Sequence, residues 1–159
     1  MNMYRLTIFF LALFFLPACK QTNMSKHEEV YAFRLKPGED LQKGIEEVVK
    51  EHDFKAGWIN TCVGSLTRYN IRFANQSNTD TGSGHFEIVS LVGTLSVNGS
   101  HMHLSISDSS GKTIGGHLME GCKVYTTAEI VITTTDRFDF VRAEDGTTPW
   151  KELQIKSKE

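Results

Sequence analysis

The most informative part of the sequence is His101-Met-His-Leu-Ser-Ile-Ser-Asp-Ser-Ser-Gly-Lys-Thr-Ile-Gly-Gly-His117, because it places a turn signal between two segments with strand character. Residues 102–107 and 113–118 have the apolar and β-branched content of half-buried strands. The intervening Asp-Ser-Ser-Gly-Lys suits a three-residue hairpin loop, with Gly111 in the left-handed conformation that closes a type I turn and bulge. The sequence therefore predicts a β-hairpin here.

The register of this hairpin follows from counting outward from the loop. If Asp108 and Lys112 flank the loop as a pair, His103 and His117 lie opposite each other, because each is five residues from its end of the loop. His101 lies two residues before His103, and side chains two apart in a strand point to the same face. The three imidazoles are therefore predicted to share one face, and a register slip of one residue would separate them.

Three neutral imidazoles within a few ångströms are a suitable ligand set for Zn²⁺ or a similar first-row metal, with a fourth position free for water or substrate. We therefore predict a metal site at His101, His103 and His117. The alternative is that these histidines are polar residues on an exposed or subunit-facing strand surface, satisfied by water and neighbouring backbone.

Two other residues are candidates for a catalytic role beside such a metal. Glu129 could orient a ligand imidazole or act as an acid/base, since carboxylates next to metal ligands commonly do so. Arg72 could bind an anionic substrate. The alternatives are a solvated strand residue for Glu129 and a structural ion pair for Arg72.

The remaining segments predict one early helix and further strands. Asp40 supplies a helix cap, and apolar residues recur at helical spacing from Leu41 through His52. Alternating or β-rich segments predict strands at 30–35, 59–66, 69–74, 86–96 and 124–134, a polar loop at 75–84, and a closing strand within 138–155. This content predicts an α+β fold, with a largely antiparallel sheet and one main helix packed on it.

The bulk composition limits the classes of protein that the chain can be. Its 159 residues suit one domain, and 40% hydrophobic with 23% charged residues is typical of a globular protein. A net charge of -2 provides no excess of Lys and Arg to neutralise phosphates, so the charge of the chain argues against nucleic-acid binding. Cys62 and Cys122 are expected to be buried free thiols, with pairing after export as the alternative.

The N-terminal segment has the features of an export signal. Arg5 precedes an apolar run at 6–16, which is about the length of a signal-peptide apolar region and short of a membrane span of roughly 20 residues. Leu16-Pro-Ala-Cys19 resembles the bacterial lipobox, in which the cysteine receives the lipid. We predict a signal peptide at 1–19 with lipidation of Cys19, a tether at 20–27 and the domain at 28–156. The alternatives are simple secretion, a retained anchor or a misassigned start.

A set of short segments, read together over residues 28–153, resembles one protein family. The segments are Gly64-Ser65-Leu66 with Arg72 six residues on, Gly84-His85-Phe86-Glu87-Ile88, Gly93-Thr94-Leu95, residues 108–111, Gly115-Gly116-His117-Leu118 and residues 127–132. In this order they resemble the PPC domain, named for plants and prokaryotes and also called domain of unknown function 296.

The resemblance implies an α+β subunit with a curved antiparallel sheet that assembles into a homotrimer. The PPC fold is similar to that of acetolactate decarboxylase, whose zinc is held by three histidines, and only this pattern carries over to His101, His103 and His117. Plant members accompany AT-hook motifs that grip DNA, whereas this chain has no AT-hook and has His85 where plant domains have arginine. Bacterial members are often labelled DNA-binding by analogy alone.

These observations predict an exported, trimeric, zinc-type metal-binding module, anchored to the membrane by a lipid on Cys19, that binds a small ligand or performs modest metal-assisted chemistry. One alternative is a noncatalytic interaction domain, associated with DNA as the family label suggests. Another is a zinc-dependent lyase or hydrolase, in which bound water attacks or the metal polarises a carbonyl substrate. The sequence leaves open whether the chain is an enzyme, and which ligand it binds.

Overall fold

The computed structural model of the chain describes residues 27–158. The predicted signal peptide, the predicted lipidation site Cys19 and all of the predicted tether except His27 lie outside the described residues. Among residues 27–158, no helix combines the length and the apolar character needed to cross a membrane.

The described chain contains one helix and eight strands. In chain order these are β1 (Glu28–Leu35), α1 (Leu41–Glu51), β2 (Gly57–Arg72), β3 (Asp80–Leu95), β4 (His101–Ser107), β5 (Thr113–Leu118), β6 (Lys123–Thr135), β7 (Phe138–Glu144) and β8 (Lys151–Ser157). Six strands form one antiparallel sheet in the order β1-β6-β2-β3-β4-β5, and β7 pairs with β8 in a separate two-stranded sheet. The predicted α+β class, a mostly antiparallel sheet with one short helix, is confirmed.

The long strand β2 gives the sheet its curvature. It pairs with β6 on one side and β3 on the other, and its C-terminal end also pairs with β5, where Ile71 lies opposite Leu118 and Arg72 opposite His117. Because β5 is otherwise the edge strand beyond β4, it reaches β2 only if the sheet curls back on itself. A register shift between Leu66 and Arg68 marks the bulge at which β2 bends.

Two strand boundaries differ from the sequence prediction. The segments 59–66 and 69–74, predicted as separate strands, are joined in the single strand β2, which ends at Arg72, because a bulge absorbs the break in alternation without ending the pairing. The predicted loop at 75–84 was too long: β3 begins at Asp80 and pairs with β2 as far as the pair of Asp80 with Ile71. Thr81, Gly82 and Ser83 are therefore ladder residues on a solvent-facing strand end.

The C-terminal tail forms a hairpin in place of the predicted single closing strand. The chain reverses at 145–150, where Gly146 adopts a φ of +78°. The hairpin is attached to the main sheet by polar contacts: Ser96 Oγ donates a hydrogen bond to the Phe140 carbonyl at 2.7 Å, and Arg142 donates one to Thr94 Oγ1 at 2.7 Å. These contacts place β7 beside the end of β3 that leads into β4.

The helix packs on the sheet through a small apolar face that includes the fully buried Leu41 and Ile45. Asp40 caps this helix, accepting a hydrogen bond from the Lys43 backbone N–H at 3.3 Å. Its other oxygen accepts one from the Gly121 N–H at 2.7 Å, in the turn between β5 and β6. A single carboxylate, 8% exposed, therefore joins the start of the helix to the sheet.

Replacing Asp40 by alanine is expected to lower the free energy of unfolding by about 2 kcal/mol, because it removes the cap and leaves the Gly121 N–H without its acceptor. Urea unfolding followed by circular dichroism measures this loss. Glu47→Ala, an exposed change on the same helix, is the matched control and should stay within about 0.5 kcal/mol. Equal losses in the two variants would contradict the structural role of Asp40.

Cys62 and Cys122 are free and buried, as expected from the sequence. Burial raises the pKa of the Cys62 thiol to about 12 and that of Cys122 to about 11. Both thiols therefore stay protonated at neutral pH, and their chemistry is that of small apolar core residues.

Candidate metal centre

The hairpin of β4 and β5 has the predicted register. His103 pairs with His117, and the Asp108 N–H donates to the Lys112 carbonyl at 3.0 Å across the loop. Gly111 has a φ of +82°, the left-handed conformation that the turn requires. Asp108 Oδ1 accepts a hydrogen bond from the Ser110 backbone N–H at 2.8 Å, which fixes the loop from within. Local turn chemistry thus sets which residues face each other across the hairpin.

The three predicted ligand residues converge on one point. Nε2 of His101 lies 3.1 Å from Nε2 of His103 and 3.3 Å from Nδ1 of His117, and the last two atoms are 3.1 Å apart. His103 is exposed, whereas His101 and His117 are half-buried. The structure therefore brings the whole predicted histidine set together in an arrangement that could hold a metal ion.

Hydrogen bonding alone cannot satisfy this triangle of nitrogens. A ring nitrogen of a neutral imidazole is either a donor or an acceptor. Among three such atoms at least two must be alike, so at least one of the three contacts sets two lone pairs or two N–H groups against each other. A cation at the centre removes the conflict, because all three nitrogens can then direct lone pairs at it.

The spacing also fits the dimensions of a zinc site. Tetrahedral ligands at a Zn–N distance of about 2.0–2.1 Å are roughly 3.3–3.4 Å apart. The observed separations of 3.1–3.3 Å are close to that value, and three protein ligands leave one tetrahedral position open. The donor set and its geometry therefore suit Zn²⁺ or a similar first-row metal.

The surroundings keep two of the imidazoles neutral. Burial lowers the pKa of His117 to about 4, with further lowering by the charges of His101 and Arg72. Burial likewise lowers the pKa of His101, assisted by the guanidinium of Arg142. Metal binding needs an unprotonated ring nitrogen, so at neutral pH these two side chains do not have to lose a proton before they bind.

The two catalytic candidates from the sequence lie in different places. Arg72 is next to the cluster, because the curvature of the sheet pairs it with His117. Glu129 lies on β6, opposite Val63 of β2, and its carboxylate accepts a hydrogen bond from Thr127 at 3.4 Å. In the single chain Glu129 is three strands away from β4, so the structure does not bring it to the histidines.

A pocket of about 680 Å³ opens beside the histidine cluster. His101 and His117 form part of its wall, together with Arg72. Half of the rest comes from residues of the C-terminal hairpin that sequence reasoning missed, Arg142, Trp150, Lys151 and Glu152, and the other half from Asn75, Gln76, Ser77 and Ser100. Strand alternation in the tail was visible in the sequence, but no local signal indicates that β7 folds back to contact Thr94 and Ser96 at the end of β3.

Fold and site together define an α+β domain with a curved antiparallel sheet and a three-histidine cluster on its outer face. The chain belongs to the Plants and Prokaryotes Conserved domain family, whose model matches residues 23–136. The β7–β8 hairpin lies beyond the matched residues.

Relatives with known names cover most of this chain. It is 39% identical over 128 residues to a bifunctional protein GlmU from Synechococcus sp., a match that covers 80% of this chain. The match covers 20% of the length of that relative, so it concerns one part of a longer protein.

Solved structures repeat the fold. A hypothetical protein from Salmonella enterica is 40% identical, with a TM-score of 0.80 over 82% of this chain and 95% of its own. A protein from Archaeoglobus fulgidus, named as metal-containing, is 25% identical, with a TM-score of 0.68 over 79% of this chain and 93% of its own. A protein from Bacteroides thetaiotaomicron, named as a candidate DNA-binding protein, shares 19% identity, covering 80% of this chain and 91% of its own at a TM-score of 0.67, which shows the fold alone.

Proposed function

We propose that this chain is a metal-binding module that holds Zn²⁺ or a similar divalent first-row ion through His101, His103 and His117, and that it binds a small ligand beside the metal. The observation that carries the proposal is the triangle of ring nitrogens at 3.1–3.3 Å, which fits zinc and cannot be satisfied by hydrogen bonds alone. The metal-containing relative from Archaeoglobus fulgidus supports the same assignment.

A metal with three protein ligands and one open position acts as a Lewis acid and lowers the pKa of bound water. This chemistry supports a lyase or hydrolase as a further candidate. The chain's own contribution would be to fix the three imidazoles on a rigid hairpin and to keep His101 and His117 neutral through burial. The pocket that these two histidines line would hold the substrate of such a reaction.

The test is elemental analysis of the purified chain without added metal and again after incubation with Zn²⁺. We expect about one metal ion per chain in the parent and none in a variant that carries both His101→Ala and His103→Ala. Absence of metal in the parent even after incubation with Zn²⁺ would refute the site and leave an interaction module as the better assignment.

Assembly into a homotrimer is part of the proposal. Its support is an exposed apolar group on the outer face of the sheet: Val63, Val89 and Val92 are 62%, 57% and 53% exposed, and Val92 pairs with His103. Such a group is typical of a subunit interface. Light scattering should give three times the 17.9-kDa chain mass. A monomer at micromolar concentration would refute this part.

Export and lipid anchoring are also proposed, on the support of the sequence of residues 1–19. Membrane fractionation of cells that express the chain tests this, and Cys19→Ser is expected to move it from the membrane to the soluble exported fraction. Equal distribution of the two forms would argue against lipidation, and recovery of both in the cytoplasm would argue against export.

The alternative function is a noncatalytic interaction domain, with DNA as one partner, which is supported by the names of relatives such as the Bacteroides thetaiotaomicron protein. A net charge of -2 counts against it, because nonspecific DNA affinity comes from phosphate neutralisation by Lys and Arg. Retention on a DNA column at low salt, lost steeply as salt is raised, would favour this alternative.

A further inference from the structure

The pocket beside the histidine cluster has an excess of positive charge. Three cationic side chains line it, Arg72, Arg142 and Lys151, against the single carboxylate of Glu152. Among the described residues neither arginine forms an ion pair; Arg72 donates to the Gln76 carbonyl at 3.3 Å and Arg142 to Thr94 Oγ1 at 2.7 Å. Neither guanidinium is therefore neutralised by a direct ion pair, although the nearby Glu152 carboxylate raises the pKa of Arg142 against the larger lowering by burial.

Arg142 is incompletely hydrogen-bonded within the described part of the chain. Its Nε is buried and has no hydrogen-bond partner within the described part of the chain. A buried donor without a partner costs free energy, more so when it is charged. The terminal Nη groups of a guanidinium form a fork that matches a carboxylate, so an anion in the pocket that Arg142 lines would pair with those groups and offset the cost of the unsatisfied Nε.

Trp150 gives the pocket an apolar wall. Its side chain is 63% exposed, and the Arg72 guanidinium lies over its ring at 5.7 Å from the centroid. An exposed tryptophan held in place by a cation–π contact offers a flat surface for the organic part of a ligand. This wall favours an organic acid over an inorganic anion, for which an apolar surface contributes nothing.

The histidines complete the chemistry of the pocket. His101 and His117 line it together with the arginines, so a ligand held by its carboxylate would have its neighbouring atoms near the histidine cluster. An acid with a hydroxyl or carbonyl oxygen next to the carboxylate can direct the carboxylate to the arginines and the second oxygen to the histidines. Phosphate offers only one kind of group.

We propose that this pocket binds a small 2-hydroxy or 2-oxo acid, with the carboxylate held by Arg72 and Arg142, the organic body against Trp150 and the second oxygen toward the histidines. The substrate class rests on the proposed metal-binding function, whereas the anion site rests on the pocket itself. The β7–β8 hairpin supplies Arg142 and Trp150, so residues beyond the family match select the ligand.

The test uses the full chain loaded with Zn²⁺ and titrated with lactate, in a Trp58→Phe background so that Trp150 alone reports by fluorescence. Lactamide, which has the same body without the charge, is the matched control ligand. We expect saturable lactate binding, and at least about tenfold weaker binding of lactamide, because it lacks the charge-assisted bonds that the carboxylate makes.

Arg72→Gln and Arg142→Gln are each expected to weaken lactate binding by roughly 10- to 100-fold. Arg137→Gln, an exposed arginine between β6 and β7, is the matched control and should bind as the parent does. Circular dichroism and zinc content show whether each variant is still folded and loaded. Equal lactate affinity in the parent and both pocket variants, or equal binding of lactate and lactamide, would overturn the proposal.

Two further outcomes distinguish a failure of the anion pocket from a failure of the metal site. Lactate binding that depends on the arginines in a chain that takes up no zinc would support the anion pocket and refute the metal function. Zinc uptake without arginine-dependent lactate binding would support the metal site and refute the anion pocket. Inorganic phosphate that saturates the pocket while lactate does not would overturn the organic-acid class.

Discussion

His103→Ala is expected to weaken Zn²⁺ binding at least about 100-fold while the chain remains folded. Changes in residues that merely support metal ligands cost roughly 10- to 100-fold in affinity, and removing a ligand should cost more. His103 is exposed, so its loss leaves no cavity in the core. Competition with a chromophoric zinc chelator measures the affinity, and urea unfolding measures the coupled loss of stabilisation.

In the parent, free Zn²⁺ at 100 times the dissociation constant should raise the free energy of unfolding by about 2.7 kcal/mol. In His103→Ala the same zinc concentration should have little effect. His85→Ala is the matched control, since His85 is an exposed histidine on β3 that packs against Tyr125 at 4.5 Å between ring centroids. Similar affinities in the parent, His103→Ala and His85→Ala would show that the cluster is not the zinc site.

Gly64→Ala is expected to lower the free energy of unfolding by about 3 kcal/mol or more, the largest stability effect that we predict. Gly64 lies in β2 opposite Ala128 of β6, where two central strands approach closely. A Cβ at this position would overlap the Thr127 carbonyl oxygen and lie 2.7 Å from the Ala128 Cα. Both are backbone atoms, so relief requires the strands to separate, which breaks pairing at the centre of the sheet.

The control for this change is Gly84→Ala on β3. A Cβ there meets only the ring of Phe86, at 3.2 Å, and an aromatic side chain can shift. Urea unfolding should give a loss below about 1 kcal/mol for this variant. If Gly64→Ala is no more destabilising than Gly84→Ala, the close approach of β2 and β6 is not a requirement of the fold.

The break in alternation near Leu66 shows where local pattern was insufficient. Residues 59–66 and 69–74 alternate out of phase, which predicts two strands, yet β2 continues through a bulge. Cross-strand hydrogen bonds to β3 and β6 hold both halves in one ladder, and the strands that supply them come from distant parts of the chain. Periodicity within a segment carries no information about such partners.

The helix and its cap were predictable for the opposite reason. Asp40 bonds to the Lys43 N–H three residues away, and the apolar face of α1 recurs within eleven residues. Both features depend on neighbours in sequence. The second role of Asp40, as acceptor for the Gly121 N–H, depends on a turn far along the chain and could therefore not be predicted from local sequence.

Local sequence patterns were sufficient to predict the α+β class and the juxtaposition of His101, His103 and His117. All three lie in one hairpin, whose register is set by a five-residue turn signal and by the two-residue period of a strand. The residues that surround the three histidines could be identified only from the folded chain. Arg72 reaches His117 because the sheet curls until β5 meets β2, and Arg142 arrives on a hairpin attached to Ser96 and Thr94. Those contacts join segments far apart in the chain, and sheet curvature and packing, which no local pattern specifies, bring them together.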